Sequence, residues 1–124
     1  PALSQGFPPD SISTDLHKQS RLIPNATMLP TMAKFLALGM PLQEVIYRST
    51  QKPAEMIRRT ELGNLAVDSE ADIAVLRVLE GDFGFVDSGG NRARGNYRLE
   101  CEVTVRAGEV VWDLNGRSAS PILL

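Results

Sequence analysis

The sequence has few of the cysteine and histidine residues from which redox and metal sites are commonly built. It contains one cysteine, Cys101, and one histidine, His17. A single cysteine cannot close an internal disulfide and no signal peptide is recognisable, so a reducing, cytoplasmic compartment is expected. With one histidine and no cysteine cluster, the chain by itself cannot supply the three protein ligands that catalytic zinc ordinarily takes.

Long apolar runs and an excess of positive charge are also missing. The longest apolar stretches, residues 35–40 and 73–78, are far shorter than the roughly 20 residues that cross a bilayer. The formal net charge is −2 and both signs are interspersed, so there is no basic stripe for nucleic acid or anionic lipid. We therefore expect neither nucleic acid nor a membrane as a partner. The hydrophobic fraction of 43% is nevertheless typical of a folded protein.

The first half of the chain shows helical periodicity. Apolar residues at i, i+3, i+4 and i+7 predict a helix over residues 29–38 that ends at Gly39. The same spacing predicts a second helix over residues 41–51, because the proline at its start is tolerated in the first turn. A third, shorter helix is expected over residues 53–59, again opened by a proline.

Beyond Thr60 the periodicity changes from helical to alternating, which predicts a boundary between two domains, residues 1–60 and 61–124. The apolar run 73–76 predicts a strand covered on both faces, and residues 83–86 predict another. Residues 88–91 (SGGN) have the composition of a turn.

The last part of the chain predicts a β-hairpin. A half-buried strand is expected to turn its apolar side chains inward and its polar ones outward, the apolar set being Leu99, Cys101, Val103 and Val105. The sequence then turns at Gly108 into residues 109–112. Trp112 is expected to be a core residue.

Asp15, His17 and Thr14 are the candidate functional residues. Residues 11–15 are β-favouring, and Asp15 ends this expected strand, where parallel α/β barrels place catalytic groups. A carboxylate that caps a turn or meets solvent is the simpler interpretation, and the pattern alone leaves both open. His17 could be half of a metal site, although a lone histidine is more often a polar loop residue. Thr14 lacks the glycine-flanked elbow of a hydrolase nucleophile.

Several collinear segments carry a resemblance to a known family. Residues 6–17 (GFPPDSISTDLH) resemble the segment at the eighth barrel strand of the amidohydrolase/deacetylase metallohydrolases, a dihydroorotase-related branch of the amidohydrolase superfamily. Further segments are similar to the helices after that strand, to the stretch that leaves the barrel and to a closing hairpin: 29–40 (LPTMAKFLALGM), 44–46 and 49–54 (STQKPA), 62–76 (LGNLAVDSEADIAVL) and 105–112 (VRAGEVVW). The resemblance covers nearly the whole chain.

The resemblance implies a site residue, a cofactor and a reaction. In such enzymes the aspartate that ends the eighth strand binds one metal of a mono- or dinuclear zinc centre and handles the proton in hydrolysis, which assigns both roles to Asp15. A divalent metal, with zinc expected, is the implied cofactor. The implied reaction is hydrolysis of a C–N bond in a small-molecule amide, such as an acylated amino acid or a cyclic amide. Thr14 and His17 are expected to lie around Asp15 without binding the metal, or to be ordinary loop residues.

The implied fold is α/β plus β. Residues 1–60 would be the C-terminal end of a TIM (β/α)8 barrel, with its last strand and following helices, and residues 61–124 part of a small β-sandwich domain. The family's histidine ligands have no counterpart here, and a complete barrel takes roughly 250 residues. The chain alone is therefore expected to be inactive, with the remaining N-terminal part of the enzyme as its partner and a homo-oligomer as a further possibility. The alternative is a non-catalytic α+β assembly module in which Asp15 is structural.

Overall fold

Helices come first and strands second along the chain. The structure, a computed structural model, describes residues 2–22, 26–87 and 89–121. The α-helices in these ranges are α1 (Met28–Ala37), α2 (Leu42–Ser49) and α3 (Gln51–Met56), and single 3-10 turns lie at Leu3–Gln5 and Ser20–Leu22. No helix among the described residues has the length and apolar character needed to cross a membrane.

The first two predicted helices are confirmed to within about two residues, and the third is displaced. Helix α3 begins at Gln51 and ends at Met56, so Pro53 lies inside its first turn instead of opening it. The first-turn N–H groups have no partner within a helix, so proline is tolerated at any of these positions. The helix ends early because Arg58 adopts a left-handed φ of 58°.

The predicted strand at residues 11–15 does not form. The segment is extended but belongs to no sheet, and the backbone N–H of Ile12 instead donates to the carbonyl of Arg48 at 2.8 Å. A strand needs a neighbouring strand to pair with, and the strands in the described residues all lie in one antiparallel sheet elsewhere. The prediction of a strand at residues 11–15 was therefore wrong, although the backbone there is extended as expected.

The strands β1 (Ile73–Val86), β2 (Arg92–Arg106) and β3 (Glu109–Asp113) form an antiparallel sheet in the order β1-β2-β3. The two strands predicted at 73–76 and 83–86 are one strand, because a bulge between Glu80 and Phe83 lets the pairing with β2 continue. The prediction that residues 73–76 are covered on both faces of the sheet was wrong for the described residues, since Val75 is 47% exposed.

Both predicted turns are present. Asp87 and Asn91 are joined by a backbone hydrogen bond of 3.0 Å; Ser88, the first residue of the predicted turn, lies outside the described residues. The second turn consists of Ala107 and Gly108, whose φ values are 48° and 83°. Positive φ at both central residues matches the twist of the flanking strands, which is why this turn type closes hairpins.

Strand β2 contains a second bulge that breaks its predicted alternation. Val103 pairs with Val75 and Cys101 with Leu76, so Glu102 is an extra residue without a partner on β1. Leu99 is buried as predicted, but Glu102 is also buried although the alternation places it outside. Trp112 was expected in the core and is 51% exposed, because β3 has no described layer packed over it.

The core joins the helices to the sheet. Its buried members come from the extended segment, from α1 and α2 with their connection, and from β2: Ile12, Met32, Met40, Val45 and Leu99. Helix α1 packs directly on β2. The change from helices to strands follows the predicted position, whereas the division into two domains at Thr60 stays a prediction.

Candidate functional site

Asp15 lies at the end of the extended segment and is exposed to solvent. Its backbone is in the left-handed region, with φ at 49°. Aspartate adopts this region more readily than most residues, but the conformation is uncommon outside glycine and persists where neighbouring contacts support it. The contacts on each side of Asp15 therefore decide how well its carboxylate is placed.

On the N-terminal side, the segment is fixed to the core and to helix α2. The side chain of Ile12 is only 3% exposed and belongs to the core cluster. The Arg48 guanidinium donates to the carbonyl of Pro9 at 2.6 Å and to the Glu44 carboxylate at 2.9 Å. We call these contacts, with the Ile12 N–H to Arg48 carbonyl bond, the stem of Asp15. Arg48 was not predicted as a functional residue, since its only signal in the sequence is its i, i+4 spacing from Glu44.

On the C-terminal side, the hydroxyl of Ser20 joins several backbone groups. Ser20 Oγ donates to the carbonyl of Asp15 at 3.0 Å and accepts from the N–H of His17 at 2.8 Å. The carbonyl of His17 lies 3.3 Å from the same hydroxyl and also accepts the N–H of Arg21 at 3.1 Å. Ser20 was likewise missed, since a serine in a polar loop has no pattern that distinguishes it.

Thr14 and His17 lie in the same loop as Asp15. Thr14 Oγ1 accepts the N–H of Leu16 at 3.2 Å, and His17 Nδ1 accepts the N–H of Gln19 at 3.3 Å. Both side chains therefore bond to the backbone of the loop, and neither bonds to the Asp15 carboxylate in the described structure. Their role around a metal ligand stays a prediction.

The residues present fit one ligand of a divalent metal and not a whole site. Within residues 2–22, 26–87 and 89–121, no group of three or more His, Cys, Asp or Glu side chains is arranged to hold a metal ion. The carboxylate of Asp15 has no hydrogen-bond or ion-pair partner among these residues, so its oxygens are available to a cation. Catalytic zinc ordinarily takes three protein ligands, and the others would have to come from outside this chain.

Glu102 forms a second polar cluster, remote in sequence from Asp15. Its carboxylate accepts from Asn115 at 2.7 Å and from Arg117 at 2.6 Å, and it also pairs with Arg77. The hydrogen bond from Asn115 is the main cause that lowers the pKa of Glu102, with Arg117 and Arg77 acting in the same direction. Because its carboxylate is satisfied on all sides, the cluster fixes residues 114–117 to β2 and is not a candidate for catalysis.

An apolar groove of about 790 Å³ runs between the helices and the sheet. Its lining includes Met28, Met32, Ile46, Ile73 and Leu76. Among the described residues that line it, only Asp72 is charged, so it lacks the convergent charged side chains that orient a small-molecule substrate.

Most of the chain is similar in sequence to known proteins. The chain is 34% identical over 110 residues to a deacetylase of Brucella anthropi and equally to a deacetylase of Agrobacterium fabrum, covering 89% of this chain and 27% of each relative. A deacetylase of Enterococcus faecalis is 27% identical over 110 residues. No family model matches the chain.

Two solved structures share the fold. The structure is similar to a crystal structure of an adenine deaminase, with a TM-score of 0.84 and 27% identity, and to that of a dihydroorotase, with a TM-score of 0.77 and 32% identity. Each match covers 90% of this chain and 30% of the other. This chain thus spans less than a third of the length of the proteins it matches. The sequence resemblance, the deacetylase relatives and the two structural neighbours agree that the chain belongs to the amidohydrolase superfamily.

Proposed function

We propose that this chain is the C-terminal part of a metal-dependent hydrolase of carbon–nitrogen bonds, in which Asp15 is a metal ligand and the proton carrier. The similarity to deacetylases over 89% of the chain carries the proposal. Hydrolysis of a carbon–nitrogen bond is the reaction class that deacetylases, deaminases and dihydroorotases have in common. A small-molecule amide, such as an acylated amino acid or a cyclic amide, is the proposed substrate.

Asp15 suits both roles chemically. A metal bound there, with zinc expected and one or two ions in the whole enzyme, would supply Lewis-acid activation of water. The Asp15 carboxylate accepts the proton that water loses as its oxygen bonds to the carbonyl carbon. It then returns that proton to the nitrogen as the C–N bond breaks. One exposed carboxylate held at a fixed turn can serve as base and then as acid without moving far.

The stem gives Asp15 the support that such a role requires. Ile12 is held in the core and Arg48 fixes the preceding backbone, so the position of Asp15 is coupled to the packed part of the molecule. Proton transfer requires heavy atoms within roughly 2.6–3.2 Å of each other, which a freely moving loop does not maintain. The short connection from Ile12 to Asp15 limits that freedom.

The proposal includes a partner. One ligand does not make a catalytic metal site, so the chain alone should bind metal poorly and hydrolyse nothing. The remaining N-terminal part of the enzyme would supply the other ligands and cover exposed apolar residues of the sheet, such as Val111 and Trp112, which are 59% and 51% exposed. The same exposure is compatible with a homo-oligomer or with the assembly-module alternative, in which Asp15 has no chemical role.

The test replaces Asp15 in the complete enzyme that carries this chain. With acylated amino acids and cyclic amides as substrates, Asp15→Asn should lower kcat by roughly 10²- to 10⁴-fold and reduce metal content measured by elemental analysis. Asp10→Asn is the matched control, because Asp10 is an exposed aspartate of the same segment, and it should leave kcat within about twofold. Full activity and full metal content in Asp15→Asn would contradict the proposal and favour the assembly module.

A further inference from the structure

Ser20 is the residue that closes the turn around Asp15. Its hydroxyl oxygen lies 3.0 Å from the carbonyl oxygen of Asp15 and 2.8 Å from the amide nitrogen of His17. One side chain therefore donates to the residue of interest and accepts from the residue two positions later. Serine and threonine hydroxyls characteristically stabilise turns in this way.

The turn matters because it sets the direction of the Asp15 side chain. With φ at 49°, the Cα–Cβ bond of Asp15 points differently from that of an extended residue in the same segment. The stem fixes the backbone before Asp15, whereas Ser20 fixes its carbonyl group. Together these contacts restrain the backbone on both sides of Asp15.

We propose that Ser20 is a positioning residue that holds the Asp15 carboxylate in its working direction. The inference rests on the proposed function of Asp15 and adds to it a second residue that touches neither substrate nor metal. Ser20 is half-buried and in a 3-10 turn, so its hydroxyl is itself restrained. Loss of the hydroxyl would leave the fold intact while freeing the backbone of Asp15.

The test uses Ser20→Ala, Ser20→Thr and Asp15→Asn in the complete enzyme. A misplacement of about 1 Å can lower a rate by roughly 10²-fold, so Ser20→Ala should reduce kcat by about ten- to hundredfold with KM within about threefold. Ser20→Thr retains a hydroxyl and should recover most of kcat. Ser69→Ala is the matched control, because Ser69 is also a half-buried loop serine, bonded at 2.9 Å to Asn64, and it should leave kcat unchanged.

A second readout is independent of activity. In metal-free protein, amide hydrogen exchange at His17 should accelerate in Ser20→Ala, because the acceptor of its N–H is removed, and not in Ser69→Ala. Faster exchange together with lower kcat, with both restored by threonine, would establish positioning.

The failures are distinguishable. If Asp15→Asn is inactive but Ser20→Ala keeps its kcat, positioning by Ser20 is wrong and the proposed function stands. If Ser20→Ala loses activity only in proportion to unfolded protein at the assay temperature, Ser20 is structural and the inference fails. If Asp15→Asn is fully active, the proposed function fails and the inference fails with it.

Discussion

The close approach of helix α1 to strand β2 at Gly95 predicts a large effect of a very small substitution. Gly95 of β2 is buried beneath α1, and a Cβ atom built on it would lie 2.5 Å from Cβ of Ala37. It would also lie 3.2 Å from Cα of Ala37 and from Cε2 of Phe85. Carbon atoms pack favourably at about 3.5–4.0 Å, so Gly95→Ala would push α1 away from β2 by about 1 Å.

The expected cost is about 1–3 kcal/mol in the free energy of unfolding, the range seen when a methyl group is forced into a packed interface. On one side the contact is with Cβ and Cα of Ala37, neither of which can rotate away, and this favours the upper part of the range. Urea denaturation followed by circular dichroism would measure the change. Hydrogen exchange in α1 should increase, because the packing of that helix against β2 is loosened.

Gly84→Ala is the matched control. Gly84 is also a strand glycine, but a Cβ atom built on it has nothing within 4 Å, so alanine there should be neutral or slightly stabilising. Ala37→Gly should cost up to about 1 kcal/mol alone and yet recover stability in the Gly95→Ala background. Equal effects of Gly95→Ala and Gly84→Ala, or the absence of coupling with Ala37→Gly, would refute the close-contact argument.

Three further substitutions test the sheet and its turns. The pKa of Glu102 is lowered from 4.5, mainly by the hydrogen bond from Asn115, so its contribution to the free energy of unfolding is present above about pH 4.5 and is lost as the pH falls through the lower folded-state pKa. Glu102→Gln should therefore flatten the loss of stability measured between pH 7 and 3, and an unchanged slope would count against this. The pKa of Asp113 is lowered from 3.8 to about 2, mainly by hydrogen bonds from Ser118, so its contribution to the free energy of unfolding is present above pH 3.8 and is lost toward about pH 2. Asp113→Asn should remove this dependence of stability on pH from acid titrations followed by circular dichroism. Ala107→Gly should raise the unfolding free energy by up to about 1 kcal/mol, since φ is 48° at Ala107, and a clear loss of stability would contradict the reasoning.

Local pattern was sufficient for the first two helices and the hairpin turn. Helix α1 follows its apolar spacing, and Gly39 adopts a φ of 90° just after the helix, as expected for a glycine that ends one. The turn at Ala107 and Gly108 was predictable because glycine in a short connection between alternating strands is a strong hairpin signal. These features depend on residues near each other in sequence.

Features that depend on distant partners were not predictable. Glu102 is buried because a bulge shifts it out of alternation and because Arg117 and Asn115 reach it from beyond β3. Trp112 has the size of a core residue but lies on a strand with no described layer over it. A single sequence shows neither the register of a bulge nor which surface a missing layer would cover.

The same limit applies to the candidate site. Asp15 was identified by its place at the end of a β-favouring run and by the family resemblance, not by any chemistry visible in its neighbours. Ser20 acts across five positions of a polar loop, and Arg48 contacts Pro9 from a different element. Neither contact produces a periodic pattern in the sequence, so both residues are recognised only in the folded structure.

The stem has a consequence for variation far from Asp15. Since the carbonyl and guanidinium of Arg48 hold Ile12 and Pro9, a displacement of helix α2 would move the segment that leads to Asp15. Val45 is fully buried in the same helix, so its replacement would disturb the packing of α2 and with it the segment that leads to Asp15. Homologous proteins could therefore adjust their reaction rates through the packing of α2, without altering any group that takes part in the chemistry.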